Sequence, residues 1–98
     1  MEKRTPHCSL AAVKSLAIAG RIRVTSSALA GAACLDLGFS EIVAFVGALT
    51  AKDFHKSMTT HADHTIWQDV YRPTTAVGKV YLKLTVFEDV LVVSFKEL

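Results

Sequence analysis

Tyr81 and Lys83 in KVYLKLTV, and Ser94 and Lys96 in VVSFKE, stand at every second position of two stretches whose other positions are mostly apolar. In an extended chain successive side chains point to opposite faces, so each stretch gathers these polar members on one side. A two-residue turn at Glu88-Asp89 pairs Phe87 with Val90, Thr85 with Val92, Lys83 with Ser94 and Tyr81 with Lys96. The same register sets Val86 against Leu91, Leu84 against Val93 and Leu82 against Phe95 on the apolar face. An open sheet face with lysine, tyrosine and a nearby amide, Gln68, but no carboxylate cluster, is poorly suited to metal-dependent hydrolysis. It suits cleavage of RNA, whose 2′-hydroxyl is a built-in nucleophile. Such a site must take the 2′-hydroxyl proton, stabilise the phosphorane-like transition state and protonate the departing 5′-oxygen. Lysine and arginine meet the second need, and lysine or tyrosine meets the first or third where the site moves its pKa toward neutrality. A neutral amide orients a phosphate or base edge without disturbing those proton transfers. The plain alternative is a solvated sheet face with no chemistry.

The histidines make a weaker case. His61-Ala62-Asp63-His64 places two imidazoles and a carboxylate in a loop, without further ligands at zinc-site spacing. His55 and His61 are the default acid–base pair of a ribonuclease, but in a regular strand both point away from the face of Lys56. His7 reads as a surface residue of a first helical turn. Met58 shares the parity of Lys56 and either supports a stacked base or packs. Cys8 and Cys34 lack CxxC spacing, which favours reduced thiols in a cytoplasmic protein over a disulfide framework.

The elements that position these residues follow from periodicity and caps. Thr5-Pro6 reads as a helix start, with Leu10, Val13, Leu16 and Ala17 on one face and Gly20 as its stop. Ile22 and Val24 form a short strand. Thr25 or Ser26 caps a second helix running to Ala33. Ser40 caps a third, with Glu41 in its first turn and Ile42, Val43, Phe45, Val46 and Leu49 facing inward. Phe54–Thr60 and Ile66–Arg72 read as strands, the second ended by Pro73-Thr74-Thr75. A four-residue loop from Pro73 to Ala76 sets Gln68 opposite Tyr81 and turns Asp69 toward the core, where it needs a polar partner. Helices first and an antiparallel sheet second predict an α+β fold with one sheet face covered and the other open.

The 98 residues read as one domain, 1–98, with 51% apolar composition and no linker or repeat. The net charge of +2 is uneven. Lys3, Arg4, Lys14, Arg21 and Arg23 stand against Glu2 alone in residues 1–23, so the remaining chain is net acidic. That basic arm is either a phosphate-binding segment or an ordinary solvated helix face. The start MEKR has the charge of a signal-peptide n-region, but Lys14 breaks the apolar stretch behind it. The apolar stretch Ala28–Leu49 is interrupted by Asp36 and Glu41, which argues against a membrane span.

FHKSMTT, DHTIWQDVYRP, GKVYLKLTV and VLVVSFKE, together with the N-terminal EKRTPH, resemble the MqsR family of type II toxin–antitoxin toxins. The resemblance covers nearly the whole chain. It is weakest over residues 24–50, an alanine-rich version of the family's helical segment. It implies a RelE-like fold and a cytoplasmic messenger-RNA interferase that uses no metal or other cofactor and cuts GC-containing sites. It maps the catalytic lysine, glutamine and tyrosine to Lys56, Gln68 and Tyr81, and a supporting, RNA-binding lysine to Lys96. Arg72 and Met58 join these as RNA-binding candidates. The residue before the catalytic lysine is usually tyrosine in the family and is His55 here. The resemblance also implies an MqsA-like antitoxin with a zinc-bearing N-terminal domain, through which alone DNA is bound. An exposed sheet edge is a natural docking surface for it by strand addition. The competing expectation is a catalytically inactive RNA- or ribosome-binding module.

Overall fold

The alternation in the second half of the chain becomes a sheet, and the first half becomes the helices that cover it. The computed structural model describes residues 1–98. In chain order these are β1 (Glu2–Lys3), α1 (Leu10–Ile18), β2 (Ile22–Val24), α2 (Ser26–Ala33), α3 (Phe39–Gly47), a 3-10 turn at Ala51–Asp53, β3 (Phe54–Thr59), β4 (Trp67–Tyr71), β5 (Thr74–Thr75), β6 (Gly78–Phe87) and β7 (Asp89–Glu97). The strands line up as β1-β3-β4-β6-β7-β2, with β5 paired to the start of β6. Only β2 runs parallel to its neighbour, β7. The architecture is α+β, with helices on one face of a mainly antiparallel sheet, in keeping with the RelE-like expectation.

Leu82 and Leu84 of β6, Val90, Val92 and Phe95 of β7 and Tyr71 of β4 meet Val13 and Ala17 of α1, Ala28 and Ala32 of α2, and Ile42, Val46 and Leu49 in and after α3. Each large aliphatic side chain fully buried there contributes about 1.5–3 kcal/mol. Small residues let α2 lie directly on β7: a Cβ at Gly31 would fall 1.8 Å from the Phe95 carbonyl oxygen. Ala28 and Ala32 are the buried residues of α2, so on its sheet side small side chains are a packing requirement.

Four local expectations are corrected. The first helix starts at Leu10, with Ser9 Oγ accepting the Ala12 N–H at 3.2 Å, and not at Thr5-Pro6. The residues before it are drawn into the sheet, where Glu2 pairs with Met58 and Lys3 with Ser57. The third helix is capped by Gly38, whose N–H donates to Glu41 Oε1 at 2.7 Å, and not by Ser40. The β6–β7 connection has Glu88 alone between the paired Phe87 and Asp89, held at φ 62°. That shorter turn is offset by a register shift between Lys83 and Leu84, so Leu84 pairs with Val92 and Val86 with Val90. The buried residues of β7 near the turn are therefore Val90 and Val92, not Leu91 and Val93. Beyond the shift the expected register holds, with Lys83 opposite Ser94, Leu82 opposite Phe95 and Tyr81 opposite Lys96. No helix is long and apolar enough to cross a membrane.

Candidate RNA-cleaving face

Pairing across β1, β3, β4, β6 and β7 arranges the outward side chains in transverse rows. One row runs Glu2, Met58, Gln68. The next runs Lys56, Val70, Lys83, Ser94. The third holds Tyr81 and Lys96. Rows two residues apart along a strand are separated by about 7 Å, and neighbouring strands by about 4.8 Å. Lys56, Met58, Gln68, Tyr81 and Lys96 thus all lie on the face opposite the helices. Gln68 does not oppose Tyr81. Val70 pairs with Lys83, so Gln68 lies four positions, about 13 Å, along the strand from the level of Tyr81. The chain between β4 and β6 folds back through β5, so the connection is not a simple four-residue loop. Glutamine and tyrosine flank the lysine row from opposite sides.

The lysines differ in their surroundings. Lys56 Nζ donates to Glu2 Oε1 at 2.5 Å. That hydrogen bond, with the lysine's charge, holds the Glu2 carboxyl below the usual 4.5. Lys96 Nζ lies 5.1 Å from the centre of the Tyr81 ring, a cation–π contact. Lys83 is partly buried, and burial followed by the charge of Lys96 lowers its pKa. Val70, although outward-facing, is fully covered and forms an apolar floor. The face is open, without an enclosed cavity.

Arg72, exposed beyond the end of β4, donates from Nη1 to His55 Nδ1 at 3.4 Å. His55 falls in an irregularity of the β3–β4 ladder, between the pairs Phe54–Tyr71 and Lys56–Val70. The regular-strand reading that turned it away from Lys56 therefore fails. Burial, then the charges of Arg72, Lys56 and Arg4, lower its pKa from the usual 6.5, which favours the neutral imidazole. Glu2, Arg4 and His55 thus belong to the neighbourhood of Lys56, and strand parity found none of them. The uneven charge of residues 1–23 was the one signal that pointed toward Arg4. His7 is exposed, as expected, but precedes the first helix and stacks on Trp67 with ring centres 5.7 Å apart. His61 and His64 stay exposed in the β3–β4 loop.

Asp69 turns inward and is buried. The partner it needs comes from the N-terminal segment: its two oxygens accept the N–H groups of His7 at 3.0 Å and Cys8 at 3.1 Å. No group of three or more histidine, cysteine, aspartate or glutamate side chains is placed to hold a metal ion.

A family described as "Motility quorum-sensing regulator, toxin of MqsA" matches residues 5–97. The chain is also 58% identical over 97 residues to the mRNA interferase toxin MqsR of Escherichia coli (strain K12), an alignment spanning 99% of each. With a family match over most of its length and this degree of identity to a relative of that name, the chain belongs to the MqsR toxin family.

Proposed function

We propose that this chain is the toxin of a type II toxin–antitoxin pair and an endoribonuclease that cuts messenger RNA at GC-containing sites, independently of metal ions. The observation that carries the reading is the juxtaposition of Lys56, Lys83, Lys96, Tyr81 and Gln68 on one uncovered sheet face. Membership of the MqsR family, and a close relative named as an mRNA interferase, support it. Lys56, Lys96 and Arg72 balance the charge that develops on the phosphate, where preorganised cations act most strongly. Lys56 as the neutral amine, which becomes a cation in doing so, or Tyr81 as the phenolate, receives the 2′-hydroxyl proton. Gln68 positions the scissile region, and Met58, beside it on β3, supports a base. The products are a 2′,3′-cyclic phosphate and a 5′-hydroxyl. The partner is an MqsA-like antitoxin with a zinc-bearing domain, which supplies any affinity for DNA, and the place of action is the cytoplasm.

The test is incubation of the purified protein with a GC-containing single-stranded RNA in EDTA, with cut sites mapped on a gel. Cleavage confined to GC-containing sites is expected. Retention of intact RNA would instead mark a binding module, and cleavage only with added magnesium would overturn the metal-independent scheme.

A further inference from the structure

Lys83 and Lys79 are the lysines on the outward side of β6 to which the family resemblance gives no role, and of these Lys83 stands in the middle row of the face, level with Lys56. Val70 lies beside it on β4 and Ser94 on β7, at the same register. Lys56 lies beyond Val70, two strands or about 10 Å away, so both ammonium groups can reach a phosphate held over the Val70 floor. On its own strand Lys83 has Tyr81 and Thr85 as nearest outward neighbours, and Lys96 approaches from β7. Gln68 and Arg72 are the outward polar residues on either side of Val70. No carboxylate faces it. The two ion pairs of the molecule are Arg21–Asp89 and Lys56–Glu2, and Lys83 takes part in neither. Its ammonium is thus free for a ligand, whereas that of Lys56 is already engaged.

We propose that Lys83 is a further catalytic residue of this face, whose ammonium protonates the 5′-oxygen as the phosphodiester breaks. The inference rests on the ribonuclease reading above and adds the proton donor that reading leaves unassigned. The 2′-oxygen, having lost its proton to the neutral amine of Lys56 or the phenolate of Tyr81, forms a new bond to phosphorus. The bond from phosphorus to the 5′-oxygen breaks, and its electron pair stays on that oxygen. The 5′-oxygen takes a proton from Lys83 Nζ, and Lys83 regains one from water. Partial burial and the neighbouring Lys96 charge make the Lys83 ammonium a stronger acid than a solvated lysine, in the direction this step needs.

A leaving group that needs no proton isolates this step. Rates are compared for the unaltered protein, Lys83→Met and Lys83→Arg on a GC-containing RNA and on the same RNA with sulfur replacing the 5′-bridging oxygen at the cut site. On the oxygen substrate both variants are expected to lose about 10²- to 10⁴-fold, the span of a general acid. On the sulfur substrate both should cut within a few-fold of the unaltered protein. A role in charge alone would leave Lys83→Arg active on the oxygen substrate, which overturns the proposal. So does an equal loss on both substrates, or an undiminished rate in Lys83→Met. Circular dichroism and thermal unfolding check the fold, and if Lys83→Met unfolds the comparison rests on Lys83→Arg. If the unaltered protein cuts neither RNA, the ribonuclease reading itself falls, and this inference falls with it.

Discussion

Glu2 sets the resting state of Lys56. Its carboxylate occupies the ammonium that an RNA phosphate would have to meet, so substrate competes with an internal anion. Because Lys56 holds the Glu2 carboxyl below its ordinary 4.5, the pair is fully formed above that pH and is lost as pH falls beneath it. Glu2→Gln removes the competitor and one charge that repels RNA. It should lower KM for RNA by about two- to fivefold, the scale of one solvent-exposed ion pair, with Tm unchanged. The gain should shrink with added salt. A raised KM would mean that Glu2 orients Lys56 and does not mask it. That Tyr81, Lys83 and Lys96 share one face, and that Met58 shares a face with Lys56, was legible in the sequence, since period two is a strong constraint where one face is buried. That these two sets lie on the same face, with Gln68 beside Met58 and not opposite Tyr81, was not, because it depends on the pairing of β3, β4 and β6. Nor was the company of Lys56. Glu2 arrives through a two-residue strand too short for periodicity, and His55 through an irregular pairing that parity cannot represent.

Among the elements, α2 and the β6–β7 hairpin are the pair on which the site depends. Lys96 follows Phe95, whose carbonyl lies where the Cβ of any larger residue at position 31 would go. Gly31→Ala should force α2 away from β7. The expected destabilisation is about 1–3 kcal/mol or more, read as a lower urea midpoint, with loss of cleavage as Lys96 moves relative to Tyr81. An unchanged midpoint would mean that α2 is not seated so closely. Helix order, the inward face of α3 and the outer half of the hairpin register followed from apolar spacing and turn chemistry. The half near the turn did not, because two compensating irregularities, a shorter turn at Glu88 and a shift at Lys83/Leu84, leave the distant pairs in place while exchanging Leu91 and Val93 for Val90 and Val92. A pattern of alternating valines reads equally well in either phase.

At the scale of the whole molecule the two faces of the sheet are joined by Asp69. It is buried on the helix side, yet it clamps the segment that carries β1, and with it Glu2 and Arg4, to the edge of the open face. Asp69→Ala leaves two N–H groups without their charged partner and should cost about 1.5–3 kcal/mol in chemical unfolding. It should also raise the amide exchange rates of His7 and Cys8 above those of β6, and retention of slow exchange there would show that other contacts hold the arm. The inward turn of Asp69 was legible from parity, but its partners were not, because they lie more than sixty residues away in a segment that reads locally as a helix start.

The most direct measurement is the chemistry of the product ends formed from a GC-containing RNA in EDTA by the unaltered protein and by Lys56→Ala. The open-face ribonuclease scheme requires 2′,3′-cyclic phosphate and 5′-hydroxyl ends from the unaltered protein, and a rate lower by about 10²- to 10⁴-fold in a Lys56→Ala variant that unfolds at the same temperature. Undiminished cleavage by that folded variant, or 5′-phosphate ends, would contradict it.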